Sequence, residues 1–284
     1  MVRIVADSTC DLSPELVERF NISILPLHVI LGDKEYRDGI DITLDELFAW
    51  SDENKTTPKT SAPSMEDAVE LYKPIIEAGD EIIAFSISFS MSTSGNVMRI
   101  AAEEIEAEDK ITVVDSKNLS TGIGLLVCKA AEMASEGMSR KDIVKKLDEL
   151  IPKVRASFVV DTLTYLHRGG RCSGAARFAG TALKLHPRIE VVDGAMQVSK
   201  KYRGKYSSVV LNYVKDMEEA LKKADPTRVF VTYTGVDKQV EDSIIEYLKG
   251  LNKFDEICTT FAGGTVASHC GYGTLGVLFI DESE

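Results

Sequence analysis

Residues 81–116 read EIIAFSISFSMSTSGNVMRIAAEEIEAEDKITVVDS. The run 81–87 is short, apolar and bounded by polar residues, which suits a strand buried on both faces. Residues 95–107 read as a helix, and 111–114 as a second strand. Strand, helix, strand is a βαβ unit, whose strands lie parallel. The alternation extends outward on both sides. A strand is expected at 3–6, and a helix at 13–20 with Ser13 as N-cap and Pro14 in its first turn. Helices near 65–77, 121–136 and 140–151 follow, with a further strand at 157–160. This half therefore reads as α/β, with a mostly parallel sheet covered on both faces. Residues 22–43 differ: two β-patterned runs flank Gly32-Asp33 and read as a hairpin.

After residue 160 the texture changes. Residues 161–205 are rich in Gly, Arg and Lys, and the runs 190–192 and 195–199 form a hairpin turning at Asp193-Gly194. Helices near 206–224 and 237–250 surround a strand at 228–234, and a last strand occupies 275–280. The chain thus divides into an α/β domain over 1–160 and an α+β domain over 161–284.

The 284 residues carry 33 Lys+Arg against 45 Asp+Glu, a net charge of −12. That balance disfavours nucleic acid and anionic membrane, which need Lys and Arg against phosphates. The sequence has no run of roughly 18 apolar residues that would span a bilayer, so stable membrane insertion is not expected. Residues 1–7 read as a first strand rather than a signal peptide. Five scattered cysteines, without a Cys-x-x-Cys pair, fit reduced thiols in a cytoplasmic protein. The charge is uneven. Residues 165–205 hold nine Lys/Arg against Glu190 and Asp193, a local +7 that leaves −19 on the rest. Such a zone suits an anionic ligand or an acidic partner.

Four stretches are candidates for chemistry. Six hydroxyls fall within residues 86–94, between a strand and a helix, where free N–H groups and partial positive charge favour a carboxylate or phosphate. Lys59-Thr60-Ser61-Ala62-Pro63-Ser64 is a second hydroxyl cluster before a helix. His167-Arg168-Gly169-Gly170-Arg171 combines a close-approach turn with a guanidinium fork. In the tail, His269 has glycine-rich surroundings. Gly271-x-Gly273-x-x-Gly276 resembles a dinucleotide fingerprint only formally, because a strand rather than a helix follows. Three strands also end in Asp-Ser or Asp-Thr, at Asp7, Asp115 and Asp161. Each can cap the next helix, and three copies favour at least one facing a ligand cleft. No metal-ligand spacing or nucleophile elbow occurs. A hydrolase or transferase using Ser92 and His269 on a small acid or ester stays open as the alternative function.

In order, these pieces resemble the DegV family. The matching segments are Asp7-Ser8-Thr9-Cys10-Asp11-Leu12, Ile24-Leu25-Pro26-Leu27, and Tyr36-Arg37-Asp38-Gly39-Ile40-Asp41-Ile42. They continue with Thr60-Ser61-x-Pro63-Ser64, Val113-Val114-Asp115-Ser116, Gly169-Gly170-Arg171-Cys172-Ser173 and Ala267-Ser268-His269-x-Gly271-x-Gly273. The resemblance implies a mostly parallel α/β/α N-terminal domain and a C-terminal domain with a mixed sheet. It implies no cofactor and no catalysis, but a bound long-chain fatty acid whose carboxylate lies at the domain junction. The partner it implies is a separate fatty acid kinase, FakA, to which a monomeric FakB-like subunit presents the acid for acyl-phosphate formation and phospholipid synthesis. The family's carboxylate-binding groups fall on Thr60, Ser92 and His269, with Arg171 and Arg203 at two basic positions. The departures are Phe89 and Thr93 in the hydroxyl loop, and His186 and Arg188 where Ile-Lys-Pro-Ile is usual. They bear on loop shape, pocket lining or the kinase contact.

Overall fold

The computed structural model describes residues 1–173 and 185–283. Strands β1 (Val2–Asp7), β2 (Ser23–Leu25), β6 (Glu81–Ser86) and β7 (Ile111–Asp115) form a parallel sheet in the order β2-β1-β6-β7. Its strands are apolar on both faces because both faces are covered. Val5, Ile82 and Ala84 point to α3 (Met65–Glu77) and α4 (Ser94–Glu104), around Tyr72 and Met98. Ile4, Ala6, Ile83 and Phe85 point the other way, to α5 (Thr121–Ser135) and α6 (Arg140–Leu150). Period-two alternation thus serves two hydrophobic layers at once. The hairpin expected within 22–43 appears as β3 (His28–Leu31) and β4 (Lys34–Arg37), joined by β5 (Lys59–Ser61) and backed by α2 (Leu44–Asn54), whereas Ser23–Leu25 at the start of that stretch belongs to the parallel sheet as β2. The short helix α1 (Pro14–Arg19) has its predicted Ser13 cap.

The second sheet is mixed. It contains β8 (Val154–Val159), β9 (Cys172–Ser173), β10 (Leu185–Val192), β11 (Ala195–Arg203), β12 (Arg228–Tyr233), β13 (Glu256–Phe261) and β14 (Leu275–Ile280). Their order among the described residues is β13-β12-β14-β8-β10-β11-β9. One face carries Ala156, Phe158, Phe230 and Leu278 toward α5. The other carries Val159, Val229, Val231 and Val277 toward α8 (Tyr206–Lys215) and α10 (Lys238–Gly250). Helices α7 (Thr164–Gly169), α9 (Glu218–Leu221) and α11 (Gly264–Cys270) complete the chain. At the β10–β11 turn Asp193 and Gly194 both have positive φ, 49° and 80°, as a two-residue turn of this kind requires.

Two expectations are corrected. The run at 157–160, read as a further strand of the first sheet, belongs to β8 in the middle of the second, antiparallel to β14 and β10. Sheet membership changes ahead of residue 160, because α5 and α6 carry the chain to the far side of α5. A short run apolar on both faces fits either sheet, and nothing local selects its partner. Strand β13 and helix α11 were not expected. They fall in stretches whose threonines and glycines mask the periodicity.

Helix α5 has a sheet on each side. Ten of its 15 residues are buried, and Ile123, Leu125, Leu126 and Val127 join one core that draws on both sheets. The two halves therefore share their main apolar cluster. Leu126→Ala is expected to cost about 2–5 kcal/mol. In urea, the midpoints read from Trp50 fluorescence and far-ultraviolet circular dichroism should shift down together. Two separated transitions would contradict a shared core.

Candidate functional site

The residues from 87 to 93 leave β6 and turn into α4, and carboxylates from both neighbouring strands fix this loop. Asp7, ending β1, accepts a hydrogen bond from Ile87 N at 2.8 Å. Asp115, ending β7, accepts one from Phe89 N at 3.2 Å. Neither lines the cavity described below, and Asp161 is largely exposed on the other sheet. The strand-end aspartates thus shape the loop from outside the cavity. Burial raises the Asp7 carboxyl to about 6, against the lowering effect of its bonds from Thr9 and Ile87.

Most of the loop's hydroxyls are occupied by the fold itself. Ser86 donates to Ile87 O, and Ser88 donates to Gly194 O across to the β10–β11 turn at 2.7 Å. Ser92 Oγ meets Ser94 Oγ at 2.8 Å and accepts from Ser94 N. Thr93, the N-cap residue of α4, makes no side-chain cap bond, so the positive end of an 11-residue helix is left to other acceptors. Phe89 lies over Gly95, where a Cβ would stand 2.0 Å from its ring, and Arg99 covers the ring at 4.5 Å.

Beside this loop is a cavity of about 440 Å³. Four of the five candidate residues line it: Thr60, Ser92, Arg171 and His269. Thr60, on β5, places Oγ1 2.8 Å from His269 Nε2. The His269 ring rests against the backbone of Gly169, where a Cβ would stand 2.3 Å from Nδ1. This close approach accounts for the first glycine of the Gly-Gly-Arg turn, and Gly170, with φ of 66°, closes α7. Nδ1 is buried and has no hydrogen-bond partner among the described residues. Burial, with the nearby positive charge of Arg171, lowers His269 to about 4, so the ring is neutral at pH 7. Arg171 is exposed at the rim and donates to Gly169 O at 2.6 Å.

Arg203, the fifth candidate, is not brought in. It ends β11 on the surface, seven residues beyond the cavity-lining Met196, or roughly 23 Å at about 3.3 Å per residue. The basic zone is likewise spread out: Arg188 pairs with Glu190 at 2.7 Å and Lys200 with Asp216 at 2.5 Å. Its Arg177 and Lys184 lie outside the described residues. Of the departures, Phe89 and Thr93 line the cavity, whereas His186 and Arg188 do not.

One residue was missed. Thr265 lies one turn before His269 on α11, is 5% exposed, lines the cavity, and has an Oγ1 without a partner among the described residues. The spacing of four is the only trace it leaves in the sequence, and that trace needs α11 to be recognised as a helix. The rest of the lining is largely apolar, including Leu27, Ile87, Leu119 and Val266. Leu119, Val266 and Cys270 also border a narrow gap that continues between the layers toward Phe158 and Leu278. A larger cleft of about 720 Å³, on the β7 and β10 side, contains none of the five candidates. Among the described residues no group of side chains could hold a metal ion, and no helix is long and apolar enough to cross a membrane.

A family model described as "Uncharacterised protein, DegV family" matches residues 1–282. A DegV domain-containing protein of Clostridium acetobutylicum is 33% identical over 288 residues, covering 99% of each chain. Among solved structures, a DegV family protein from Thermus thermophilus, described by its fatty acid binding, is 31% identical with a TM-score of 0.90 and 99% of each chain covered. A stearic acid-binding protein from Eubacterium ventriosum is 32% identical with a TM-score of 0.86, again over 99% of each chain. Whole-chain matches at this identity, on the fold and motifs described above, place the chain in the DegV family.

Proposed function

We propose that this protein binds a long-chain fatty acid in the 440 Å³ cavity and presents it to a separate fatty acid kinase of the FakA type, without catalysis of its own. The observation that carries the binding reading is the convergence of unsatisfied or exchangeable polar groups at the end of an apolar cavity. Ser92, Thr60 and Thr265 offer hydroxyls, His269 is neutral, and Arg171 supplies the positive charge at the rim. A carboxylate is costly to remove from water unless hydrogen-bonded and balanced by charge, and this set does both. The acyl chain then follows the apolar lining past Leu119 and Val266. Burying about 14–16 methylenes at ~0.8 kcal/mol each gives roughly 11–13 kcal/mol before association costs. The fatty acid binding described for the two solved relatives supports the same ligand class.

The hydrolase alternative has weaker support. The hydrogen bond of Ser92 goes to Ser94, whereas His269 meets Thr60. His269 Nδ1 faces no carboxylate that would orient it as a general base. The kinase reading rests on the family resemblance and on Arg171, exposed beside the carboxylate position where another protein can reach it.

Organic extraction of the denatured protein followed by mass spectrometry should yield a stoichiometric long-chain acid. An empty extract, together with ester turnover abolished by Ser92→Ala, would overturn the carrier reading. Addition of a FakA-type kinase and ATP should give acyl phosphate only when both proteins are present. Binding without acyl phosphate would remove the kinase step alone.

His269→Ala and Arg171→Ala should each weaken palmitate binding by about 10- to 150-fold, the range for losing a hydrogen bond to a charged group. Gly169→Ala should approach the His269→Ala loss, since its Cβ would displace the ring. Equal affinity in all three variants would defeat the placement of the carboxylate.

His269 also sets a pH dependence. An unfolded histidine takes up its proton near 6.5, whereas the folded ring does so at about 4. The stability it contributes is complete above pH 6.5 and is lost as pH falls toward 4. Asp7, raised to about 6, acts in the opposite sense over the lower part of that range. His269→Gln should therefore flatten the acid-side decline in unfolding free energy between pH 6.5 and 4, measured by urea titration. An unaltered slope would contradict a neutral His269.

A further inference from the structure

Segments 7–11 and 38–39 bury three carboxylates, with Asp7, Asp11 and Asp38 at 0%, 5% and 2% exposure. Asp7 holds the loop before Ser92, as described. The other two converge on the start of α11, the helix that carries Thr265 and His269. Asp11 Oδ1 accepts from Gly263 N at 2.8 Å, and its Oδ2 accepts from Ser120 Oγ at 2.5 Å. Asp38 Oδ1 accepts from Gly264 N at 2.6 Å. Its Oδ2 accepts from Thr265 N at 3.0 Å and Ser8 Oγ at 3.1 Å. Three successive N–H groups at the helix start are thus satisfied by residues from the opposite end of the chain.

Four other helices here begin differently. Ser13, Thr43, Ser64 and Ser139 cap α1, α2, α3 and α6 from the adjacent position. The N-cap of α11 is Gly263, which has no side chain to offer. A seven-residue helix has little stability of its own, so its direction follows what holds its ends. Asp38 also ties down the other half of the Thr60–His269 contact. Its N–H donates to Leu27 O at 2.8 Å, immediately before β3, and β3 pairs with β5 at Val29 and Thr60. One residue therefore anchors both the start of the strand that pairs with the Thr60 strand and the helix that bears His269.

We propose that Asp11 and Asp38 are positioning residues of the carboxylate site, which fix α11 so that His269 Nε2 meets Thr60 Oγ1 and Thr265 Oγ1 faces the cavity. The consequence for ligand affinity rests on the fatty-acid reading above, whereas the geometry does not. Two buried carboxylates of like charge are an expensive way to cap a helix, and local serines serve elsewhere in this chain. What the remote pair adds is a fixed relation between two separate segments.

The test uses the full chain, with palmitate as probe and His269 ring resonances followed by NMR in ligand-free protein. Asp38→Asn keeps the size of the side chain but turns an NH₂ group toward the helix N–H groups. It should melt cooperatively, weaken palmitate binding about tenfold or more, and move the His269 midpoint up from about 4 toward 6.5. Ser8→Ala removes one donor to Asp38 while keeping the carboxylate, and should shift both readouts the same way by a smaller amount. Wild-type affinity and an unmoved His269 midpoint in Asp38→Asn would overturn the proposal. If Asp38→Asn does not fold, unchanged values of both in Ser8→Ala overturn it instead. Failure of the wild-type protein to bind palmitate refutes the fatty-acid reading, while the His269 midpoint still decides the positioning role.

Discussion

The arrangement depends on α5 being packed on both sides. A helix in that position must be apolar around most of its surface, and the run Ile123-Gly124-Leu125-Leu126-Val127-Cys128 meets that demand. Because both sheets use the same helix, they cannot move apart without opening the largest core cluster. The cavity is a consequence of that stacking. The loop after β6 comes from one sheet, α11 connects strands of the other, and the cavity forms where they meet. Function at a seam between layers is thereby compatible with a fixed geometry, since the seam is the centre of the core.

The site itself is built from neutral donors, with the full charges kept at a distance. Burial holds His269 neutral, and the hydroxyls of Thr60, Ser92 and Thr265 carry no charge. The only cation lining the cavity among the described residues is Arg171, at the rim. The carboxylate of the proposed ligand would find donors already oriented and its countercharge near solvent, where desolvating a guanidinium costs less. The buried acidic groups follow the reverse logic. Asp7, Asp11 and Asp38 are turned toward backbone N–H groups and hydroxyls, so their acceptor oxygens serve the scaffold.

The sequence made three of the four strands of the first sheet, the two hairpins and four cavity residues legible, the strands and turns for local reasons. Strands 81–86 and 111–115 are continuous apolar runs, and Asp193-Gly194 needs no context to turn. The Gly-Gly-Arg run and the serine-rich loop stood out by composition, and the family resemblance placed Ser92 and His269 in one site. What stayed hidden is pairing. The apolar run at 154–159 carries no mark of which sheet it joins. Nor does Asp38 reveal that its partners lie 226 residues away. Arg203 was carried over by order along the chain, and order does not report distance from a cavity. Thr265 was invisible for a related reason, since a seven-residue helix opening with glycine offers no cap and little period.

The unusual hydroxyl loop can be understood as a compensated change. Phe89 would obstruct any residue with a side chain at position 95, and position 95 is glycine. The ring then fills the space over the first turn of α4, and Arg99, one turn on, covers its outer face. The other departure, Thr93 beside Ser92, sits as the N-cap residue without using its hydroxyl to cap. Loop position does not depend on that hydroxyl, because Asp7 and Asp115 hold the backbone at Ile87 and Phe89 from the two flanking strands. With the backbone fixed from outside, the side chains at 89, 93 and 95 can vary together while Ser92 stays at the cavity wall. The departures therefore alter the surface of the cavity and leave its framework in place.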